Sequence, residues 1–188
     1  MLVFGHIASA ALPARWATPK ADLRWVIFFA LLADLIDKPV GLVIFRETIN
    51  NGRVYFHSLL VNLLLTLVLV ALKKPLIYPL ALWIHQLCDR MWMRPWTAMW
   101  PFSGTFGYRD LPLDDWVYSV LNPYNLTTEA IGFTLVLWLV IHYRLHDVRC
   151  LRRWLHSGRL ERRAPEAPEG RGHREKISSR QNSGTGRD

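Results

Sequence analysis

An all-α, polytopic membrane protein is the fold class that this sequence predicts, and three observations carry it. The first is the length of its apolar stretches: residues 23–45, 56–72, 76–93 and 130–145 approach the roughly 20 residues that a helix needs to cross a bilayer core. The second is the missing polar face of the stretch SLLVNLLLTLVLVAL, where Asn62 and Thr66 are the only polar residues after Ser58. A helix on the surface of a water-soluble domain carries polar residues along one side. The third is the placement of charge. Residues 149–188 hold 11 of the 23 Lys and Arg and 5 of the 15 Asp and Glu, so six of the eight net positive charges lie in the last 40 residues.

The elements follow in order. Residues 2–12 are short for a span and read as a half-helix or interfacial segment. Residues 23–45 form the first span, with Pro39 expected to kink or break it because proline lacks the backbone donor and clashes with the preceding turn. Residues 56–72 and 76–93 form the second and third. The connection 93–128 holds Pro95, Pro101, Pro112 and Pro123, which predict ordered loop and short helix. Its Trp96, Trp100, Trp116, Tyr108, Tyr118 and Tyr124 suit the lipid headgroup level and the mouth of a site. Residues 130–145 are the fourth span. Three regions result: a helical membrane domain at 1–148, a basic juxtamembrane extension at 149–163 that lies along anionic headgroups, and a tail at 164–188 too polar to bury a core, expected to be disordered. Placing the basic residues inside puts the C-terminus in the cytoplasm, with Lys73 and Lys74 on the same side and Arg46, Arg53, Arg90, Arg94 and Arg109 opposite. The bilayer is the partner this implies. A nucleic-acid role for the tail is disfavoured, since it lacks interleaved aromatics apart from Trp154.

Several polar residues stand where apolar ones belong. Asp34 and Asp37 are three apart and share one helix face, and a carboxylate near a span centre costs roughly 2.5 to 3.5 kcal/mol on an insertion scale. Lys38 is available to neutralise one. His85 and Asp89 are four apart on the third span, and His57 and His6 open two other apolar stretches. Alternating helices bring Asp34, Asp37, His57, His85 and Asp89 to one membrane side, and His6 joins them if the first segment enters from that side. Two cysteines, Cys88 and Cys150, offer neither a disulfide framework nor a cysteine zinc site, so a metal here must be held by His and carboxylate, which suits zinc, with manganese as the alternative. Arg53, Arg90 and Arg94 lie on that side and are candidates for holding an anion. The pair His142 and His146, beside Asp147, falls at the opposite end among arginines and is read as structural.

The ordered set of His6, LLADLIDKP, RVYFHSLL, HQLCDRMW and WPFSG resembles the YdjM-type family of membrane-bound metal-dependent hydrolases, over residues 6–107. The resemblance implies metal-binding or catalytic roles for His6, Asp34, Asp37, His57, His85 and Asp89. Ala33, where the family commonly has proline, and the spread-out NNGRVYF are departures that remove no candidate ligand. The family is similar, more distantly, to zinc-dependent phospholipase C and single-strand nucleases, which implies hydrolysis of a phosphoester. The expectation is a membrane-bound hydrolase acting on an ester or phosphoester of a lipid or other amphiphile, with Asp34 or Asp37 as general base. The competing expectation is a non-enzymatic protein: a cation or proton carrier, or a helical module that a metal holds together.

Overall fold

The computed structural model describes residues 2–110 and 112–160, and the regular structure among them is helical. The tail expected to be disordered, and the last residues of the basic extension, lie outside the described residues. Helix α1 (Val3–Ala17) is followed by α2 (Leu23–Pro39), α3 (Leu59–Ala71) and α4 (Ile77–Cys88). A one-turn α5 (Pro95–Ala98) and α6 (Leu113–Leu121) lie in the proline-rich connection, and α7 (Pro123–His142) and α8 (Val148–Ser157) complete the order.

Helix α2 sits between α1 and α4, α1 packs in turn on α7, and α3 packs on α4. Small residues allow the close approach: Ala10, Ala11 and Ala14 of α1, Ala30 of α2 and Ala81 of α4 are all buried in one cluster with Val26 and Leu82. Closely packed small side chains are the usual device for helix association in lipid, where apolar burial alone discriminates little. Gly132 of α7 lies so close to α1 that a Cβ there would stand 2.5 Å from the Gly5 amide nitrogen. Glu129, one turn earlier, accepts the backbone N–H groups of Phe4 and Gly5 at 2.9 and 3.0 Å, satisfying donors that a helix start leaves open.

The outer faces are apolar. Leu63, Leu64, Leu67, Val68 and Val70 of α3 and Ile131, Phe133, Leu137, Trp138 and Ile141 of α7 are exposed, while the buried centre holds His6, Asp37, His57, Asn62 and His85. Contiguous exposed apolar surface of this kind marks a lipid or protein contact. Among the described residues one helix, α7, is by length and composition able to cross a membrane: it has 20 residues and a mean hydropathy of 1.4. Helices α3 and α4 stop at 13 and 12 residues, so the four apolar stretches do not become four helices of spanning length.

The reason lies in how the helices end. Ser58 caps α3, its Oγ accepting the Val61 N–H, so residues 56 and 57 belong to a preceding 3₁₀ turn. Helix α4 stops at Arg90, whose backbone is left-handed (φ +55°). Helix α2 ends at Pro39 and passes into a π-helical turn, Val40–Ile44, as expected where proline removes a donor. The basic extension is a helix of its own, α8, set off from α7 by a turn with Arg144 at φ +54°. It is strapped to the start of α2: Leu23 N–H donates to the Gly158 carbonyl (2.8 Å), and Arg24 bonds Asp22 and the Leu155 and His156 carbonyls.

Candidate metal centre

Each polar residue at the centre is delivered by an apolar helix near one of its ends. Helix α2 carries Asp34 and Asp37 in its last turns, α4 carries His85 in its last turn and Asp89 just beyond it, α1 carries His6 in its first turns, and the turn before α3 supplies His57. One ligand atom each from Asp34, His57, His85 and Asp89 lies within 4.8 Å of every other.

Asp37 is built differently. Its carboxylate accepts the N–H groups of Val54 (2.9 Å), Phe56 (3.0 Å) and His57 (3.0 Å), and Nδ1 of His57 at 2.7 Å. A carboxylate offers about four lone-pair sites. Four donors meet it here, three on Oδ2 and one on Oδ1, so Asp37 fixes the 54–57 turn and the ring of His57, and takes no place among the four converging groups. The turn is held from the other side by Asn62, whose Nδ2 donates to the carbonyls of Phe56 and Ser58, and by Gln86, whose Nε2 donates to Phe56 O.

The tautomers follow from the partners. Nδ1 of His85 lies 2.7 Å from the Ala30 carbonyl, which can only accept, so that nitrogen carries the proton. Nδ1 of His57 carries one toward Asp37 for the same reason. In the neutral rings both Nε2 atoms are then bare lone pairs, yet they face each other at 3.2 Å. Around them stand Asp34 Oδ1 and Asp89 Oδ2, 3.7 and 3.5 Å from Nε2 of His57. Four acceptors directed at one point can share a cation. Two imidazole nitrogens and two carboxylate oxygens, with the far side of each ring tied to an acceptor, fit a divalent metal and the second-sphere pattern that normally orients its ligands.

The remaining residues support the set. His6 stacks on His85 with ring centroids 4.0 Å apart, and its Nε2 is 3.2 Å from Asp89 Oδ1. Arg53 Nε bonds Asp89 Oδ2 at 2.6 Å, and Lys38 Nζ bonds Asp34 Oδ2 at 2.8 Å. Burial pulls the Arg53 guanidinium down, and the Asp89 and Asp34 carboxylates more than reverse this, leaving it above its ordinary value. A cavity of about 820 Å³ opens above Asp89, lined among others by Lys38, Arg53, Arg90, Arg94 and Arg109. Burial, then the like charges of Arg53 and Arg109, push the Arg94 guanidinium below its usual range. Arg90 lies over the Tyr124 ring, 4.0 Å from its centroid. Away from all this, His142 stacks on Trp138 and takes no part.

The match to the YdjM inner membrane protein family runs over residues 1–153. The chain belongs to that family. The YdjM match takes in all of α1 to α7 and each of the six central His and Asp residues, and makes this a membrane protein. No curated protein and no solved structure matches the chain.

The six residues singled out by sequence thus meet at one place, four as converging groups, Asp37 as the anchor of His57 and His6 behind Asp89. Sequence reasoning missed the Ala30 carbonyl, the Val54 and Phe56 amides, Gln86, and the presence of Lys38 and Arg109 in the cavity wall. Asn62 carried a usable signal, as one of two polar residues inside an otherwise apolar helix.

Proposed function

We propose that this chain is a multi-pass, membrane-bound metal-dependent hydrolase that cleaves an ester or phosphoester bond in an amphipathic substrate at the membrane surface. The observation that carries the reading is the meeting of two imidazole Nε2 atoms with two carboxylates, one of which, Asp89, lines a cation-rich cavity. A two-nitrogen, two-oxygen set suits zinc, with manganese as the alternative. Zinc when bound lowers the pKa of water to about 7 and polarises the attacked oxygen.

The chain's own residues divide the remaining work. His57, His85 and Asp89 are held rigidly by Asp37, Ala30, His6 and Arg53, and act as ligands. Asp34 is the less enclosed carboxylate, with Lys38 on one oxygen only, and serves as ligand or general base. Asp37 is committed by four donors to the 54–57 turn, which favours Asp34 for the base role. Arg53, Arg90 and Arg94 surround the position where an anionic group would sit. Membrane insertion in this reading uses α7 as a full span, with α2 and its π turn, α3 and α4 completing a multi-pass bundle whose C-terminus is cytoplasmic.

A carrier would need a polar path through the bundle. Below the centre the helices are closed by Ala10, Ala14, Val26, Ala81 and Leu82, all buried, which favours a site served from one side. The test is the metal content of detergent-purified protein. Stoichiometric zinc or manganese in the parent, lost in His85→Ala and Asp89→Ala, together with metal-dependent turnover of phospholipids or lipid-linked phosphates, is the expected result. A parent without metal, or metal unaffected by both changes, rejects the centre; bound metal without turnover on that panel moves the protein to the metal-stabilised module.

A further inference from the structure

We propose that the cavity above the metal centre is a receptor for a diphosphate group, the head of a substrate with two or more negative charges. The proposal rests on the hydrolase reading and narrows its substrate from esters in general to one class of anion.

Among the described residues, five cations line the cavity and Asp89 is the one carboxylate beside them. Three of the five are engaged: Lys38 with Asp34, Arg53 with Asp89, and Arg90 over Tyr124. Arg94 and Arg109 are in no salt bridge with a carboxylate among the described residues, and Arg94 is repelled by both Arg53 and Arg109. A divalent ion on the floor would add to the surplus. Guanidinium groups match phosphate oxygens through paired donors, so an anion with several phosphate oxygens is the natural counterpart.

The other candidate heads fit less well. A neutral carboxylic ester gives Arg94 and Arg109 nothing to pair with. A zwitterionic phosphodiester would bring its own ammonium into a field of like charges. A diphosphate carries oxygens enough for Arg53 beside Asp89 and for Arg94 and Arg109 in the same cavity. Leu2, Leu42 and Met93 also line the wall and suit an attached hydrocarbon.

The test titrates the detergent-purified full chain with pyrophosphate, orthophosphate and phosphocholine at constant ionic strength, using calorimetry. Pyrophosphate should bind about tenfold or more tighter than the other two, and R94Q/R109Q should lose about tenfold of that affinity while keeping the parent's metal content. Equal affinity for pyrophosphate and orthophosphate, or a double variant that binds as the parent does, overturns the proposal. His85→Ala separates the two readings: a pyrophosphate preference that still depends on Arg94 and Arg109 in a metal-free protein keeps the receptor and removes only the metal centre. Farnesyl diphosphate provides the last arm. Tighter binding than free pyrophosphate assigns the head to a lipid, and equal or weaker binding assigns it to a soluble diphosphate.

Discussion

Asp37 determines the geometry of the centre without joining it. It holds three backbone amides and one imidazole, so Asp37→Asn removes charge from a buried position and turns one acceptor oxygen into a donor facing an N–H group. Breaking a buried charged network in this way costs about 3 to 5 kcal/mol. The variant should unfold at clearly lower temperature and purify with less metal than the parent, measured by thermal unfolding and elemental analysis. Arg53→Lys is a milder probe. Lysine keeps the charge but cannot reproduce the planar guanidinium that places Nε on Asp89 at 2.6 Å. Metal affinity should fall about 10- to 100-fold, as is usual when an orienting partner is lost, with little change in melting temperature. These roles were only partly legible beforehand. Acids and histidines inside apolar runs announce themselves, because lipid-facing helices exclude them. The amides of Val54, Phe56 and His57 and the carbonyl of Ala30 leave no trace in side-chain identity, so the distinction between a ligand and its anchor becomes visible only when the backbone is placed.

Between secondary-structure elements, two glycines set the close approaches on which the centre depends. A Cβ on Gly41, in the π turn, would overlap the Asn51 carbonyl, and Asn51 opens the segment that feeds its amides to Asp37. Gly41→Ala should therefore destabilise by about 1 to 3 kcal/mol, as overpacking does, and reduce bound metal with no ligand touched. Gly132→Ala should separate α7 from α1 next to His6 and cost a similar amount, read by chemical denaturation in detergent. An unchanged stability for either variant would mean that the backbones yield more easily than their contacts imply. Helix existence and order were readable from apolar spacing; helix ends were not. Hydropathy records what lies beside lipid and continues across the Ser58 cap, the Pro39 break and the Arg90 turn, where hydrogen bonding, not polarity, decides the boundary.

Across the bundle as a single body, α8 closes onto α2 through the Asp22 and Arg24 clasp. The hydrogen bond from Arg24 holds the Asp22 carboxyl below its ordinary value of 3.8. A lowered folded-state value means that the stabilisation is present at every pH above the unfolded value and is lost as pH falls through the folded one. The melting difference between parent and Asp22→Asn should thus be constant from pH 7 to about pH 5 and shrink below about pH 4. Its size should be small, because the clasp is largely in solvent; a difference that persists unchanged at pH 3 contradicts it. Orientation is tested separately by reporter fusions after residue 160, which should be active on the cytoplasmic side. The bond from Glu129 to the amides of Phe4 and Gly5 joins positions 125 and 124 residues apart. The seat of His6 beside Asp89 is thus braced by a contact that spans most of the described chain, between the helix that bears it and α7.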